Sequence, residues 1–198
     1  MATVPGSAAI VIATPGAEPR AAGGYAAAVL LDGWSLLARP GLRAGEEALR
    51  RWMNAAALVR SGEAGGKVII MADPGAPAVQ ALIRWDGSTH AERELAEREE
   101  LALPPVVRMA ALAGSAADVR ELLGAVTLPQ HADVLGPVPA EPDGRVAQRA
   151  ADTVRYLVRA PAPDGTALAV ALRAGLAERS AAKSSGQVRL HLDPAELI

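Results

Sequence analysis

The sequence predicts an α/β protein built in two parts, on three observations. Through the first half, short apolar runs alternate with Pro- and Gly-rich loops and with stretches of helical periodicity. A densely charged segment then ends at Pro104-Pro105 and divides the chain. Beyond it, six elements follow in the order β-α-β-β-α-β. A length of 198 residues is ample for one or two hydrophobic cores.

The elements of the first half are read in order. Ala8 to Thr14 is expected as a buried strand and Ala26 to Leu31 as an apolar strand, with the Pro- and Gly-rich loop "TPGAEPRAAGG" between them. In "DGWSLLARPGLRAGEEALRRWMNAAALVRSGEAGG", Leu42, Leu49, Met53 and Ala56 recur at helical spacing, flanked by Trp52 and Val59. Glu46 and Glu47 suit the first turn of that helix and Arg60 its last, by the helix dipole. Lys67 to Asp73 is expected as a buried strand, because β-branched residues run together before Asp-Pro-Gly. "APAVQALIRW" is a short helix. "STHAERELAEREELALPP" is a charged, solvent-facing connector helix, with Ser88 as its N-cap.

In the second half, Val106 to Leu112 is a strand. Ala116 to Val126 is a helix with Val119, Leu122, Leu123 and Val126 on one side. Asp133 to Val138 is a short strand, "AEPDGRVAQRAAD" a mobile loop, and Thr153 to Arg159 a strand. Gly165 to Ala182 is a helix bearing Leu168, Leu172 and Leu176, and Gln187 to Leu192 closes the set. That order is the ferredoxin-like split βαβ arrangement.

Composition narrows the function. Twenty basic and 22 acidic residues leave a net charge of −2, so no global field draws the chain to nucleic acid. The absence of Cys excludes a disulfide scaffold, a thiolate zinc site and a Cys nucleophile. No stretch is long and apolar enough to predict a membrane span, and the start lacks signal-peptide character, so a cytoplasmic location is expected. No Walker A pattern, G-x-S-x-G or paired His at i, i+4 occurs. His90, His131 and His191 lie in unlike contexts and are expected at the surface rather than as ligands, so no metal site is expected. Asp32, at a strand end before Gly33-Trp34, is a turn-forming or capping residue in preference to a loop-positioning carboxylate.

Strand alternation suggests one further surface. Val154, Tyr156 and Val158 share one face of their strand, and Arg155, Leu157 and Arg159 the other. Val188, Leu190 and Leu192 face inward, with Arg189 and His191 outward. Val107, Met109 and Ala111 are expected to face inward, opposite Arg108. With the strands side by side, Arg108, Arg155, Arg159, Arg189 and His191 would lie together on an open sheet face. Such a face could contact phosphates of single-stranded nucleic acid, although it lacks an aromatic platform. A merely solvated sheet face is the competing reading.

The stretches "VIATPGAEPRAAGGY", "LLDGWSLLARPGLRAGEEALRRWMNAAALVR", "EREELALPP", "DVLGPVPA" and "HLDP" stand in the order and spacing of one family. Through them the chain resembles, over nearly all its length, the C-terminal part of the primosomal protein N′ (PriA) family, bacterial helicase-like proteins of replication restart. The resemblance is to the actinobacterial branch, with degenerate helicase motifs. It implies that residues 1–85 are the closing half of the second RecA-like helicase lobe and residues 86–105 a connector helix. Residues 106–198 would be the family's C-terminal domain, with an S10-like, ferredoxin-like fold.

The resemblance also implies what the chain has lost. In competent relatives, Ala13 to Gly24 would hold a Gly-Thr-Gln motif followed by Lys-Gly-His. Here Thr14 remains, while Pro15, Gly16 and Glu18 to Arg20 replace the polar pattern. The sixth helicase motif should fall on Asn54 to Ser61, its arginines at Leu58 and Ser61, with Arg60 at a glycine position. Arginine fingers are worth about 10³ to 10⁵ in phosphoryl-transfer rate, and neither Leu nor Ser replaces one.

No catalytic residue is therefore expected, and no cofactor in this chain. The family's ATP, Mg and Zn sites would lie upstream, and the chain would be either a fragment or a short reading frame. Forked or single-stranded DNA, single-stranded DNA-binding protein and primosome proteins are the implied partners. The acidic-tail contact of some relatives would fall near Pro163 and Ala167 and is not carried over. Three functions stay open: a DNA- and partner-binding piece in primosome assembly, a fragment of an active ATP-dependent 3′-5′ DNA helicase, and a ferredoxin-like nucleic-acid- or protein-binding module unrelated to replication.

Overall fold

A computed structural model describes residues 3–139, 153–182 and 186–194. The chain is mixed α/β and divides into two compact units, Met1–Glu94 and Leu95–Leu197. The loop expected over 140–152 falls outside the described residues.

The first unit opens with β1 (Thr3–Val4), which pairs in parallel with β2 (Arg20–Ala21). Ala8 to Thr14 is not a strand. Ile10 and Ile12 are 94% and 95% exposed, so the run expected to be buried has nothing to bury it among the described residues. β3 (Ala27–Leu30) runs parallel to β4 (Lys67–Ile70), with Ala27 opposite Lys67 and Leu30 opposite Ile70. β4 was expected to be buried, yet Val68 and Ile69 are exposed, as is Val29 of β3, and only Leu30 and Ile70 of the two strands pack on the core.

That core is helical. Between the two strands come α1 (Gly33–Leu37), which the sequence did not announce, and α2 (Ala44–Ala56). After β4 comes α3 (Pro77–Arg84), started by a proline at its first turn. Trp52 is the centre of the cluster rather than its flank: it is 2% exposed, beside Leu49, Leu36, Val79 and Leu82. Residues 48, 49, 52 and 55 form the buried stripe of α2, rotated by one residue from the expected Met53 and Ala56, because the large indole takes the middle of the interface. The helix ends at Ala56, so Arg60 lies beyond its last turn. α4 (Gly87–Glu100) is capped by Asp86, whose Oδ1 accepts the Thr89 N–H at 3.0 Å, and not by Ser88. The division between the units falls within α4.

The second unit contains β5 (Val107–Ser115), α5 (Ala116–Ala125), β6 (Asp133–Pro139), β7 (Thr153–Pro161), α6 (Gly165–Ala181) and β8 (Arg189–Leu192), in the expected order. They build one antiparallel sheet, ordered β6-β7-β5-β8. Val119 and Leu122 of α5 and Leu168 and Leu172 of α6 pack against Ala110, Leu112, Tyr156 and Val158 of the sheet. Ser115 caps α5 by accepting the Asp118 N–H at 3.1 Å, and its hydroxyl bonds the Asp118 carboxylate. Gly175 lets the two helices approach, since a Cβ there would lie 2.3 Å from the Val126 Cγ2.

Candidate functional site

The loop to which the resemblance assigns a helicase motif is folded onto itself. The Thr14 carbonyl accepts the Ala17 N–H at 2.9 Å, closing a turn in which Gly16 sits at φ +90°. The Gly16 N–H, which could otherwise meet an anion, donates to the Glu18 carboxylate at 2.9 and 3.0 Å. Tyr25 donates its hydroxyl to the Pro19 carbonyl at 2.8 Å, fixing the far side of the loop. The turn thus holds an acidic side chain on its own backbone, and that charge repels phosphate.

The other positions that the resemblance singles out are also engaged in structure. The Tyr25 N–H donates to the Leu58 carbonyl and the Arg60 N–H to the Tyr25 carbonyl, both at 3.0 Å, which ties the exit of α2 to the loop. Arg60 Nε donates to the Gly23 and Gly24 carbonyls at 3.2 and 3.3 Å. Ser61 caps a 3-10 turn through the Ala64 N–H. Gly66 is required behind them, since a Cβ would lie 1.9 Å from the Arg60 carbonyl oxygen. Leu58 is half-buried and apolar. The positions Leu58, Arg60 and Ser61 do not fit a triphosphate: the Arg60 guanidinium holds backbone, and Leu58 and Ser61 carry no charge. The Gly23-Gly24 pair was the sequence signal for this use of Arg60. Asp32 begins α1 without a side-chain cap bond; its carbonyl accepts the Leu36 N–H and the Ser35 hydroxyl.

In the second unit, register decides which arginines share a face. Residues opposite one another in an antiparallel pair project to the same side. Ala113 is opposite Arg155 on β7 and Arg189 on β8, so these two arginines flank it in one row. Two strand spacings place their Cα atoms about 10 Å apart. The next row is Leu157, Ala111 and His191, and Arg159 lies beyond, opposite Met109. All of these lie on the side of the sheet away from α5 and α6.

Arg108 does not join them. It shares a side with Ala110 and Leu112, the helix-covered side, where its chain meets the start of α6: a Cβ on Gly165 would lie 2.5 Å from the Arg108 Cγ. The expected phase of β5 is therefore reversed. The physical reason is that Met109, Ala110, Ala111 and Leu112 are all buried, so the strand has no polar alternation to reveal which side faces the helices. Arg108 instead pairs with Asp193 at 3.1 Å. The Asp193 N–H also donates to the Met109 carbonyl at 2.7 Å, its Oδ1 accepts the Met109 N–H at 3.3 Å, and it stands at φ +45°, pinning the end of β8.

Charge on the face is thinner than the sequence suggested. Arg159 is half-buried and held by the Asp133 carboxylate of β6 at 3.1 Å. Arg155 and Arg189 have no ion-pair partner among the described residues, and His191 is exposed beside them. Tyr156 is buried as expected. His131 is exposed, but His90 is not: it is 6% exposed, packed toward Gly45 of α2, with neither ring nitrogen hydrogen-bonded among the described residues. Among those residues no group of three or more His, Asp or Glu is placed to hold a metal, and no helix is long and apolar enough to cross a membrane.

Residues 99–195 match the family model described as the primosomal protein N C-terminal domain. The chain is 50% identical over 195 residues to the probable replication restart protein PriA of Mycobacterium leprae, covering 96% of this chain and 30% of that protein. It is 50% identical over 199 residues to the proteins of the same description from Mycobacterium tuberculosis strain H37Rv and Mycobacterium bovis, at the same coverage. The chain thus spans 30% of the length of the curated relatives it matches.

Proposed function

Residues 99–195 belong to the primosomal protein N C-terminal domain family, and the chain as a whole matches the C-terminal part of PriA; on that premise we propose that it acts in DNA replication restart as a DNA- and partner-binding piece with degenerate helicase motifs. The observation that carries this reading is 50% identity across 96% of the chain to proteins described as replication restart proteins. It favours a replication role over a binding module unrelated to replication.

Three structural features support the finer parts of the proposal. The sheet order β6-β7-β5-β8, with both helices on one side, is what a ferredoxin-like domain requires. The parallel β3–β4 pair with helices on one side and exposed Val29 and Ile69 on the other is what part of a RecA-like lobe would look like, because parallel sheets are ordinarily covered on both faces. Arg155 and Arg189, unpaired among the described residues and in one row, suit phosphate contacts. The proposal places no nucleotide hydrolysis in these residues; the family's ATP, magnesium and zinc sites would belong to other segments. Single-stranded DNA-binding protein and primosome proteins are its proposed partners, and the cytoplasm its location.

The test is retention. The purified 198-residue chain should be retained by immobilised forked and single-stranded DNA at low salt and should capture single-stranded DNA-binding protein. Failure of both would remove the proposal.

A further inference from the structure

The chain contains five aromatic side chains, three Trp and two Tyr, and four of them can be compared by use. Trp52 and Tyr156 are buried in their cores, and Tyr25 spends its hydroxyl on the Pro19 carbonyl. Trp34 is 72% exposed and touches neither role. Its position is nonetheless firmly rooted. The preceding Gly33 is buried, with a Cβ position only 2.6 Å from the Met71 carbonyl oxygen, so the backbone carrying Trp34 presses directly on the end of β4. Leu31 and Met71, at the adjoining ends of the two parallel strands, are exposed as well. Carboxyl ends of parallel strands are where α/β sheets place their ligand sites.

Cations follow within nine residues. Arg39 and Arg43 lie on the segment joining α1 to α2, both exposed and without an ion-pair partner among the described residues. With Asp32 they leave residues 31–43 one net positive charge. An exposed indole on a rigid base, with free guanidinium groups on the same short segment, is the combination that binds single strands: bases stack on the ring and phosphates meet the cations.

We propose that Trp34 is a base-stacking platform for single-stranded DNA, with Arg39 and Arg43 as its phosphate contacts. This rests on the DNA-binding reading above and adds to it the aromatic element that the Arg155–Arg189 face of the second unit lacks. The charge of the segment favours a polyanion over a neutral apolar partner.

The experiment uses the full 198-residue chain, an oligo-dT probe and intrinsic tryptophan fluorescence. It is run on a Trp85→Phe background because Trp85 is also exposed. Oligo-dT should quench the emission at low salt. Trp34→Ala should abolish most of that quenching and weaken binding about 5- to 150-fold, the range for losing one stacked base, while Trp34→Phe should keep most of the affinity. Arg39→Ala with Arg43→Ala should lower the log–log salt slope by about 1.4, at 0.7 per phosphate contact. Matching thermal midpoints would exclude a folding defect, as expected for exposed side chains. If Trp34→Ala binds and quenches like its parent while Arg155→Ala and Arg189→Ala weaken binding, this inference falls and the DNA reading stands. If the parent chain binds no oligo-dT at low salt, both fall. Loss of a protein partner on Trp34→Ala with oligo-dT binding intact would also overturn it.

Discussion

The Arg179 guanidinium of α6 lies 2.8 Å from Asp118 Oδ1 and 2.6 Å from Glu121 Oε2, both on α5. One cation therefore joins the two helices that cover the sheet, at the point where Ser115 caps α5. The Asp118 carboxyl is held below its ordinary value, chiefly by the Ser115 hydroxyl; desolvation opposes this, and the hydrogen bond and charge of Arg179 add to the lowering.

Acid should weaken the second unit through this group. A carboxyl whose folded value is depressed contributes stability that is fully present above its unfolded value of about 3.9 and is lost as pH falls through the folded value. Urea midpoints should therefore fall as pH drops from about 5 toward 2. Asp118→Asn should be less stable than the parent at pH 7 and should show a shallower decline below pH 4. An equal decline in parent and variant would mean that this pair does not contribute to acid sensitivity.

Side chains on the two sides of β7 should behave oppositely. Tyr156→Ala empties a core site and should cost about 3 to 5 kcal/mol by chemical denaturation. Arg155→Ala with Arg189→Ala should leave the midpoint within about 0.5 kcal/mol and instead lower single-strand affinity, with a salt slope reduced by about 1.4. Arg159→Ala should change affinity less, because Asp133 already neutralises it. Arg108→Ala should not affect DNA binding at all, since it lies on the helix side.

The proposed loss of helicase motifs predicts an absence of turnover and a structural use for Arg60. DNA-stimulated ATP hydrolysis should not exceed background in a preparation free of contaminating helicase. Arg60→Ala should leave that result unchanged and destabilise the first unit modestly, by about 0.5 to 1.5 kcal/mol, through loss of its bonds to the Gly23 and Gly24 carbonyls. Measurable hydrolysis abolished by Arg60→Ala would show a catalytic role instead.

Close backbone approach makes a glycine test of the first unit. Gly33→Ala would set a methyl 2.6 Å from the Met71 carbonyl oxygen and the Ala72 Cβ, and should cost about 1 to 3 kcal/mol by overpacking. Trp52→Ala should cost about 3 to 5 kcal/mol by leaving the helical core hollow. Thermal melts of both variants check this; a midpoint for Gly33→Ala equal to the parent's would show that the strand end yields.

The sequence by itself determined the elements whose signals are local. The β-α-β-β-α-β order after Pro105 followed from apolar periodicity and turn residues, and α6 placed Leu168 and Leu172 in the core as their spacing required. Period-2 alternation also assigned Tyr156 inward and Arg155 outward, because β7 is half-polar and its pattern is visible. What only the tertiary structure decided were matters of pairing and cover. β5 is apolar on both sides, so its phase came from its register with β7 and β8, and that register moved Arg108 off the shared face. Asp133 reached Arg159 only because β6 pairs beside β7, and Arg60 met the Gly23 and Gly24 carbonyls only because Tyr25 docks on Val59. Ala8 to Thr14 has a strand's composition and, among the described residues, no strand's neighbours: hydrophobicity states a demand for burial, and only partners in space can meet it.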